Sequence, residues 1–302
     1  MDFKKIFTLF KNTVNSFLDD NVIKFSASLS YYTIFAIPPL AIIIISVCGY
    51  FYGEEAVRGE LFHQIRGLVG DSAASQIQEA IKNVKMTGSS TLATIIGGAT
   101  LLFGASGVFA EIQSSINYIW GFKAKPKKGI LRFIINRLLS FSMVASLGFI
   151  LLVSLLLNSV VNVFNDRLTY LFSDNTVYLV SIVNNVLVLI IITLLFGFIY
   201  KTLPGGKIEW NETLIGSLFT AVFFMVGKYA IGLYLSTSAN TNAYGAAGSI
   251  LIILVWVYYS AIILYFGAVF TKEYAKLYGD GIEPDAYSMK IIKDYEIPQN
   301  QV

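Results

Sequence analysis

The chain has 302 residues, of which 55% are hydrophobic and only 14% are charged. A water-soluble protein of this size cannot bury so much apolar surface, so the composition predicts a protein that crosses a membrane several times. The formal net charge of +3 is too small to indicate nucleic-acid binding by itself, and the one cysteine, Cys48, excludes a disulfide within the chain. Residues 1–24 are too polar for the apolar region of a signal peptide, so no cleavable signal is expected.

Six segments are apolar and long enough to cross a bilayer, which takes roughly 20 residues per helix. They are residues 25–52, 92–111, 138–161, 177–200, 213–235 and 248–271. If the N-terminus is inside, the cytoplasmic segments hold sixteen lysines and arginines and the outer segments hold five. The positive-inside rule therefore predicts an all-α membrane protein with six spans and both termini in the cytoplasm.

Three regions follow from this topology. Residues 1–24 contain an amphipathic helix that is predicted to lie on the inner leaflet, with lysines opposite its apolar stripe. The stripe is formed by Phe3, Ile6, Phe7, Phe10, Val14 and Phe17. Residues 25–276 form the six-helix domain, whose outer loop 53–90 carries two further short amphipathic patterns. Residues 277–302 form a polar cytoplasmic tail that is expected to be partly disordered.

Two prolines interrupt the first predicted span. Pro38 and Pro39 cannot donate backbone hydrogen bonds, and a helix in lipid tolerates this where neighbouring helices or a water-filled cavity satisfy the freed carbonyls. The preceding turn is polar, with Ser30, Tyr31, Tyr32 and Thr33. Two interpretations stay open: a broken helix that lines a polar cavity, and a kink packed inside the bundle with hydroxyls bonded to the backbone.

Lys228 lies within the fifth predicted span, where an ionisable side chain is by default a hypothesis for a functional site. The same helical face carries Thr213, Ser217 and Thr220. Such a polar stripe favours a wet interior, whereas a lysine that extends to the headgroups would need none. Asn184 and Asn185 lie at a similar depth in the fourth span. Their amides are suited either to bonds between helices or to a shared polar pocket with Lys228.

Charged residues also mark the inner end of the second span. Glu111 lies on a face of small residues and is suited either to a structural ion pair with the inner loop or to a pathway. The loop that follows is basic, with Lys123, Lys125, Lys127 and Lys128. It would attract anionic headgroups by roughly 1 kcal/mol per nearby charge, although a plain topology signal has the same composition.

No catalytic or metal-binding motif is evident in the sequence. The single histidine, His63, lies in the outer loop, and no cluster of histidines and carboxylates has the spacing of metal ligands. No nucleophile elbow or phosphate-binding loop is present either. We therefore expect a protein that is not an enzyme, has no metal or other cofactor and does not bind nucleic acid. Membrane lipids are the expected partners, and a homo-oligomer is left open.

Four stretches of the chain carry a family resemblance, which covers about residues 15–278. They are KFSASLSYYTIFAIPPL, the basic turn after INYIWG, LPGGKIEWNETLIGSL and YGAAGSILIILVWVYYSAIILYFGAVFTKEYA. In this order they resemble the YihY/virulence factor BrkB family. The resemblance implies a six-helix protein of the bacterial inner membrane. It also implies a role in moving envelope lipids or lipopolysaccharide precursors, as suggested for some members.

The sequence bears on two family features. The older label of the family, ribonuclease BN, disagrees with the presence of one histidine. The Gly-Ala-Glu that usually ends the last span reads Gly267-Ala268-Val269 here, so a role for that carboxylate would need Glu273 as a substitute.

Residues and resemblance together predict a transporter-like protein that moves or binds an anionic amphiphile through a polar cavity. The alternative is a scaffold that does not transport and binds envelope partners through the outer loop. A ribonuclease or other hydrolase is the least supported function.

Overall fold

The computed structural model describes residues 3–36, 107–124, 175–237, 245–286 and 288–291, and the single positions Gly59, Phe62, Ser75 and Gln78. Within these ranges the helices are α1 (Phe3–Asp19), α2 (residues 22–36), α3 (residues 107–120), α4 (Asn175–Thr202), α5 (Trp210–Thr237) and α6 (Gly245–Tyr278). The strands are β1 (Phe122–Ala124), β2 (Gly206–Lys207), β3 (Glu283–Pro284) and β4 (Ser288–Lys290).

Two stretches of the described helices are long and apolar enough to cross a membrane. They are Trp210–Lys228 in α5, with a mean hydropathy of 1.2, and Ile253–Tyr278 in α6, with a mean hydropathy of 2.0. A shorter apolar stretch, Val188–Thr202, lies in α4. The spans predicted over residues 92–111 and 138–161 fall mostly or wholly outside the described residues, as do Pro38, Pro39 and most of the outer loop. The total of six spans, the topology and the proline break therefore stay predictions.

Helix α5 packs between α4 and α6 through small residues. A Cβ on Gly267 of α6 would overlap Thr220 of α5, and a Cβ on Gly216 of α5 would overlap Thr271 of α6. On the other side, the Ser217 hydroxyl lies 3.3 Å from the Cβ position of Gly197 in α4. Close approach of this kind lets dispersion contacts hold helices together where lipid supplies no hydrophobic driving force between them.

Large apolar side chains remain exposed along the outer faces of two helices. On α4 they recur every fourth residue, as Val186, Ile190, Leu194 and Phe198. On α5 the same spacing exposes Leu214, Leu218, Val222 and Val226. Soluble monomers rarely expose contiguous apolar patches larger than a few hundred Å². These stripes are suited to contact with lipid.

Helix α1 divides its apolar residues between two surroundings. Leu9 and Thr13 are buried against the bundle, and the ring of Phe17 lies 5.5 Å from that of Phe266 in α6. Phe3 and Phe7 are exposed, at 82% and 67% of their surface. The helix therefore docks on α6 along one face and presents a second apolar face outward, as expected for a helix at a membrane interface.

Short strands gather at one end of the bundle, which we call the strand end. β1 pairs antiparallel with β4, and β2 pairs antiparallel with β3. The Asn117 side chain of α3 accepts a hydrogen bond of 2.6 Å from the Gly205 amide before β2. Part of the C-terminal tail, which the sequence predicts to be partly disordered, is thus paired with β1 after α3 and with β2 before α5. Residues 292–302 lie outside the described residues.

We expect Gly267→Ala to destabilise the bundle by about 1–3 kcal/mol, because the new methyl group overpacks the contact with Thr220. Unfolding in mixed detergent micelles would measure the change. Gly59→Ala is the matched control, since Gly59 is also helical and no atom lies within 4 Å of its Cβ position. Equal stability of the two variants would contradict the tight α5–α6 contact.

Candidate functional site

Lys228 is half-buried on α5, between the fully buried Ala221 and the C-terminal end of the helix at Thr237. Gly227, directly before it, is buried, whereas Lys228 itself is only half-buried, so the lysine lies at the edge of the packed face. The ion pairs among the described residues belong to other lysines. The Lys228 ammonium therefore has no carboxylate partner among the described side chains.

The polar stripe on the same helix is buried and bonded within the protein. The hydroxyls of Thr213, Ser217 and Thr220 donate to backbone carbonyls of α5 or the residue before it, at 2.8, 3.1 and 2.7 Å. All three residues are fully buried. The predicted contact of Thr220 with a substrate stays a prediction, since the partners of its hydroxyl in the structure are protein atoms.

Thr220 belongs to a contact of three helices that the sequence did not reveal. The hydroxyl of Tyr200 in α4 donates 2.7 Å to the Leu264 carbonyl of α6 and lies 3.0 Å from Thr220 Oγ1 of α5. Tyr200 is fully buried. A tyrosine just before the LPGG turn was the available signal, but the sequence does not say which carbonyl it reaches.

The polar residues before the prolines in α2 divide into two pairs. Ser30 and Thr33 donate to the carbonyls of Ala27 and Leu29, at 2.8 and 2.7 Å. Tyr31 and Tyr32 are exposed, although the ring of Tyr32 also lies against Gly107 of α3. Backbone bonding of Ser30 and Thr33 is the geometry expected for a helix packed inside the bundle. The part of the helix that would decide between the two interpretations lies outside the described residues.

The remaining predicted site residues are spread over the molecule. Glu111 of α3 is half-buried, and its Oε1 lies 3.4 Å from the hydroxyl of Ser115. Asn185 is exposed on α4, and the side chain of Asn184 is not among those that the structure describes. Lys123 is exposed in β1. Lys125, Lys127 and Lys128 lie outside the described residues.

A buried ionic cluster lies at the strand end and was missed by the sequence analysis. Lys272 of α6 donates to Asp20 Oδ2 at 2.6 Å and to the Ile119 carbonyl at 2.9 Å. Glu273, 3.7 Å from the Lys272 ammonium, accepts hydrogen bonds from Ser16 at 3.1 Å and Lys276 at 3.0 Å. Asp20, Lys272 and Glu273 are all at least nine-tenths buried. The cluster joins the turn after α1 to the ends of α3 and α6.

The cluster of Asp20, Lys272, Glu273 and Lys276 consists of charges that compensate one another, and we call it the anchor. Each charge has an opposite partner, so its geometry serves to hold α1 against the bundle. Glu273, the candidate substitute for the family carboxylate, contributes to this anchor. In the part of the chain that the structure describes, no group of three or more histidines, cysteines and carboxylates could hold a metal ion.

Tyr200→Phe is expected to lower the free energy of unfolding by about 1 kcal/mol, since the Leu264 carbonyl and Thr220 lose a buried partner. Tyr31→Phe is the control because Tyr31 is 60% exposed. Unfolding of both variants in mixed micelles measures the difference. A loss that is no larger for the Tyr200 variant would argue against the three-helix contact.

Lys272→Met should destabilise the protein by about 3–5 kcal/mol, because it leaves the Asp20 carboxylate buried without its cation. Lys276→Met should cost little, since the side chain of Lys276 is 57% exposed. The double variant Asp20→Asn with Lys272→Met should recover part of the loss. If the two lysine variants unfold alike, Lys272 does not hold the anchor.

Comparison with known proteins gives consistent results. The family model described as virulence factor BrkB matches residues 13–290. The UPF0761 membrane protein of Mannheimia succiniciproducens is 24% identical over 260 residues, 84% of this chain and 85% of that protein. The UPF0761 membrane protein of Vibrio vulnificus is 28% identical over 248 residues, 80% of this chain and 74% of its own length.

The relative from Saccharophagus degradans, also a UPF0761 membrane protein, is 25% identical over 88% of this chain. The match covers only 59% of that relative, so the chain spans less than two thirds of its length. No solved structure matches the chain significantly.

Proposed function

Because the chain belongs to the virulence factor BrkB family of membrane proteins, we propose that it moves or binds an anionic amphiphile in the bacterial inner membrane. The amphiphile is an envelope lipid or a lipid-linked precursor. In this proposal the protein is transporter-like and multi-pass, and it carries out no chemical reaction on its cargo.

The observation that carries the proposal is the position of Lys228. A lysine at the centre of a membrane helix costs about 2.5–3.5 kcal/mol on insertion scales, so it needs a compensating partner. Lys228 is half-buried, and none of the described carboxylates pairs with it. An anionic headgroup would supply the missing negative charge.

The strand end supports the same proposal from the predicted cytoplasmic surface. Helix α1 exposes Phe3 and Phe7 together with Lys4 and Lys11, which is the pattern of a helix that inserts among anionic headgroups. Lys123 adds an exposed positive charge at the same end. These groups would hold the protein at the leaflet from which an anionic lipid is taken or to which it is delivered.

Translocation of a fluorescent anionic lipid in proteoliposomes tests the proposal. Lys228→Ala is expected to slow translocation about tenfold, which corresponds to losing about 1.4 kcal/mol of interaction with the headgroup. Lys228→Arg, which keeps the charge, should retain most of the rate. Lys207→Ala is the matched control, since Lys207 is exposed in β2.

Two results would count against the proposal. Equal rates for wild type and Lys228→Ala would remove Lys228 from the mechanism. A rate no higher than that of protein-free liposomes would exclude lipid movement and favour the scaffold, in which exchanging the outer loop, and not Lys228, abolishes function.

A further inference from the structure

Two aromatic side chains of α6 approach the turn of α5 that carries Lys228. A Cβ on Gly227 would overlap the hydroxyl of Tyr259, so this hydroxyl lies against the α5 backbone directly before Lys228. The indole of Trp256 meets the ring of Phe224 edge-on, with centroids 6.0 Å apart and an angle of 88° between planes. Phe224 and Lys228 are one helical turn apart and share a face.

The indole nitrogen of Trp256 has no hydrogen-bond partner among the described residues. Four buried polar side-chain atoms have no hydrogen-bond partner within the described part of the chain, and Trp256 Nε1 is the nitrogen among them. An indole nitrogen only donates, and a buried indole usually finds an acceptor. By contrast, Nε1 of Trp120 donates 3.0 Å to the Ala268 carbonyl. The Trp256 donor is therefore buried without an acceptor among the described residues, and an acceptor supplied by a ligand would satisfy it.

The three side chains share one chemistry. The Lys228 ammonium offers donors and a positive charge, the Trp256 indole offers one donor, and the Tyr259 hydroxyl can offer another. We propose that they form an oxyanion site that recognises the phosphate of a lipid headgroup. The non-bridging oxygens of a headgroup phosphate can accept from two helices at once, and the low dielectric of the surroundings strengthens each bond.

This inference rests on the proposed function because it uses Lys228 as the charge of the same site. It adds the α6 donors and the phosphate group. The phosphate could belong to a lipid or to a soluble ion. The lipid is favoured because the same two helices carry exposed apolar side chains suited to lipid, Val222 and Val226 on α5 and Val255 on α6.

The test follows the indole N–H directly in the full-length protein. The chain has three tryptophans, so ¹⁵N-indole labelling in neutral detergent micelles gives three Nε1–H resonances, assigned with Trp→Phe variants. Titration with phosphatidylglycerol should shift the Trp256 resonance downfield until it saturates. The Trp120 resonance, whose N–H is already bonded, is the internal control. Diacylglycerol, which lacks the phosphate, should shift neither.

Lipid binding by native mass spectrometry supplies the second readout. Trp256→Phe should weaken phosphatidylglycerol binding about tenfold, as expected for one hydrogen bond to a charged acceptor. Binding by the Lys228→Ala variant should fall at least as far. The wild-type titration does not depend on the variants, so a poorly folded Trp256→Phe protein would leave that readout intact.

The outcomes separate this inference from the proposed function. An unshifted Trp256 resonance with binding that depends on Lys228 would overturn the oxyanion site and leave the proposed function standing. A shift that glycerol 3-phosphate or inorganic phosphate produces at equal concentration would overturn the lipid source. Phosphatidylglycerol binding that is insensitive to both Lys228→Ala and Trp256→Phe would overturn both.

Discussion

Each polar group in the apolar part of this molecule has to find its partner inside the protein, since hydrocarbon offers none. The described helices meet this constraint mainly by turning hydroxyls back onto their own backbone. Ser26, Thr193 and Thr271 each donate to the carbonyl four residues earlier, at 2.8, 2.7 and 2.7 Å. A hydroxyl bonded in this way behaves as a small, nearly apolar side chain, and this lets helices approach closely.

Close packing and charge placement both follow from that constraint. Thr220 and Thr271 pack against Gly267 and Gly216 because their hydroxyls need no room for water. The fully compensated charges lie at the strand end, where Asp20 and Lys272 are 2.6 Å apart. Lys228 departs from both patterns, because it is half-buried within α5 and none of the described carboxylates pairs with it.

The sequence predicted the long helices well because hydrophobic length is a local property. The spans 177–200, 213–235 and 248–271 lie within α4, α5 and α6, and α1 (Phe3–Asp19) contains the whole apolar stripe predicted within residues 1–24. The family resemblance is confirmed by the match over residues 13–290. These results depend on composition and on motif order along the chain.

What the sequence could not predict depends on contacts between distant residues. Asp20 and Lys272 are 252 positions apart, and nothing in either neighbourhood indicates the pairing. The periodicity of α1 identified an apolar stripe but not that Phe17 would face α6 while Phe3 stays exposed. In the sequence Trp256 does not differ from other residues of the span, because only the structure shows that its Nε1 lacks a hydrogen-bond partner among the described residues.

The pairing of the chain's last described segment has a mechanical consequence. β3 is bonded to the loop before α5, and β4, four residues on, is bonded to the strand after α3. Two amides extend these ladders, Asp285 to the Gly205 carbonyl at 2.9 Å and Ile291 to the Gly121 carbonyl at 2.7 Å. One short ribbon thus bridges elements that are far apart in sequence. At that end, α3 and α5 can separate only after the hydrogen bonds of one of the two ladders have broken.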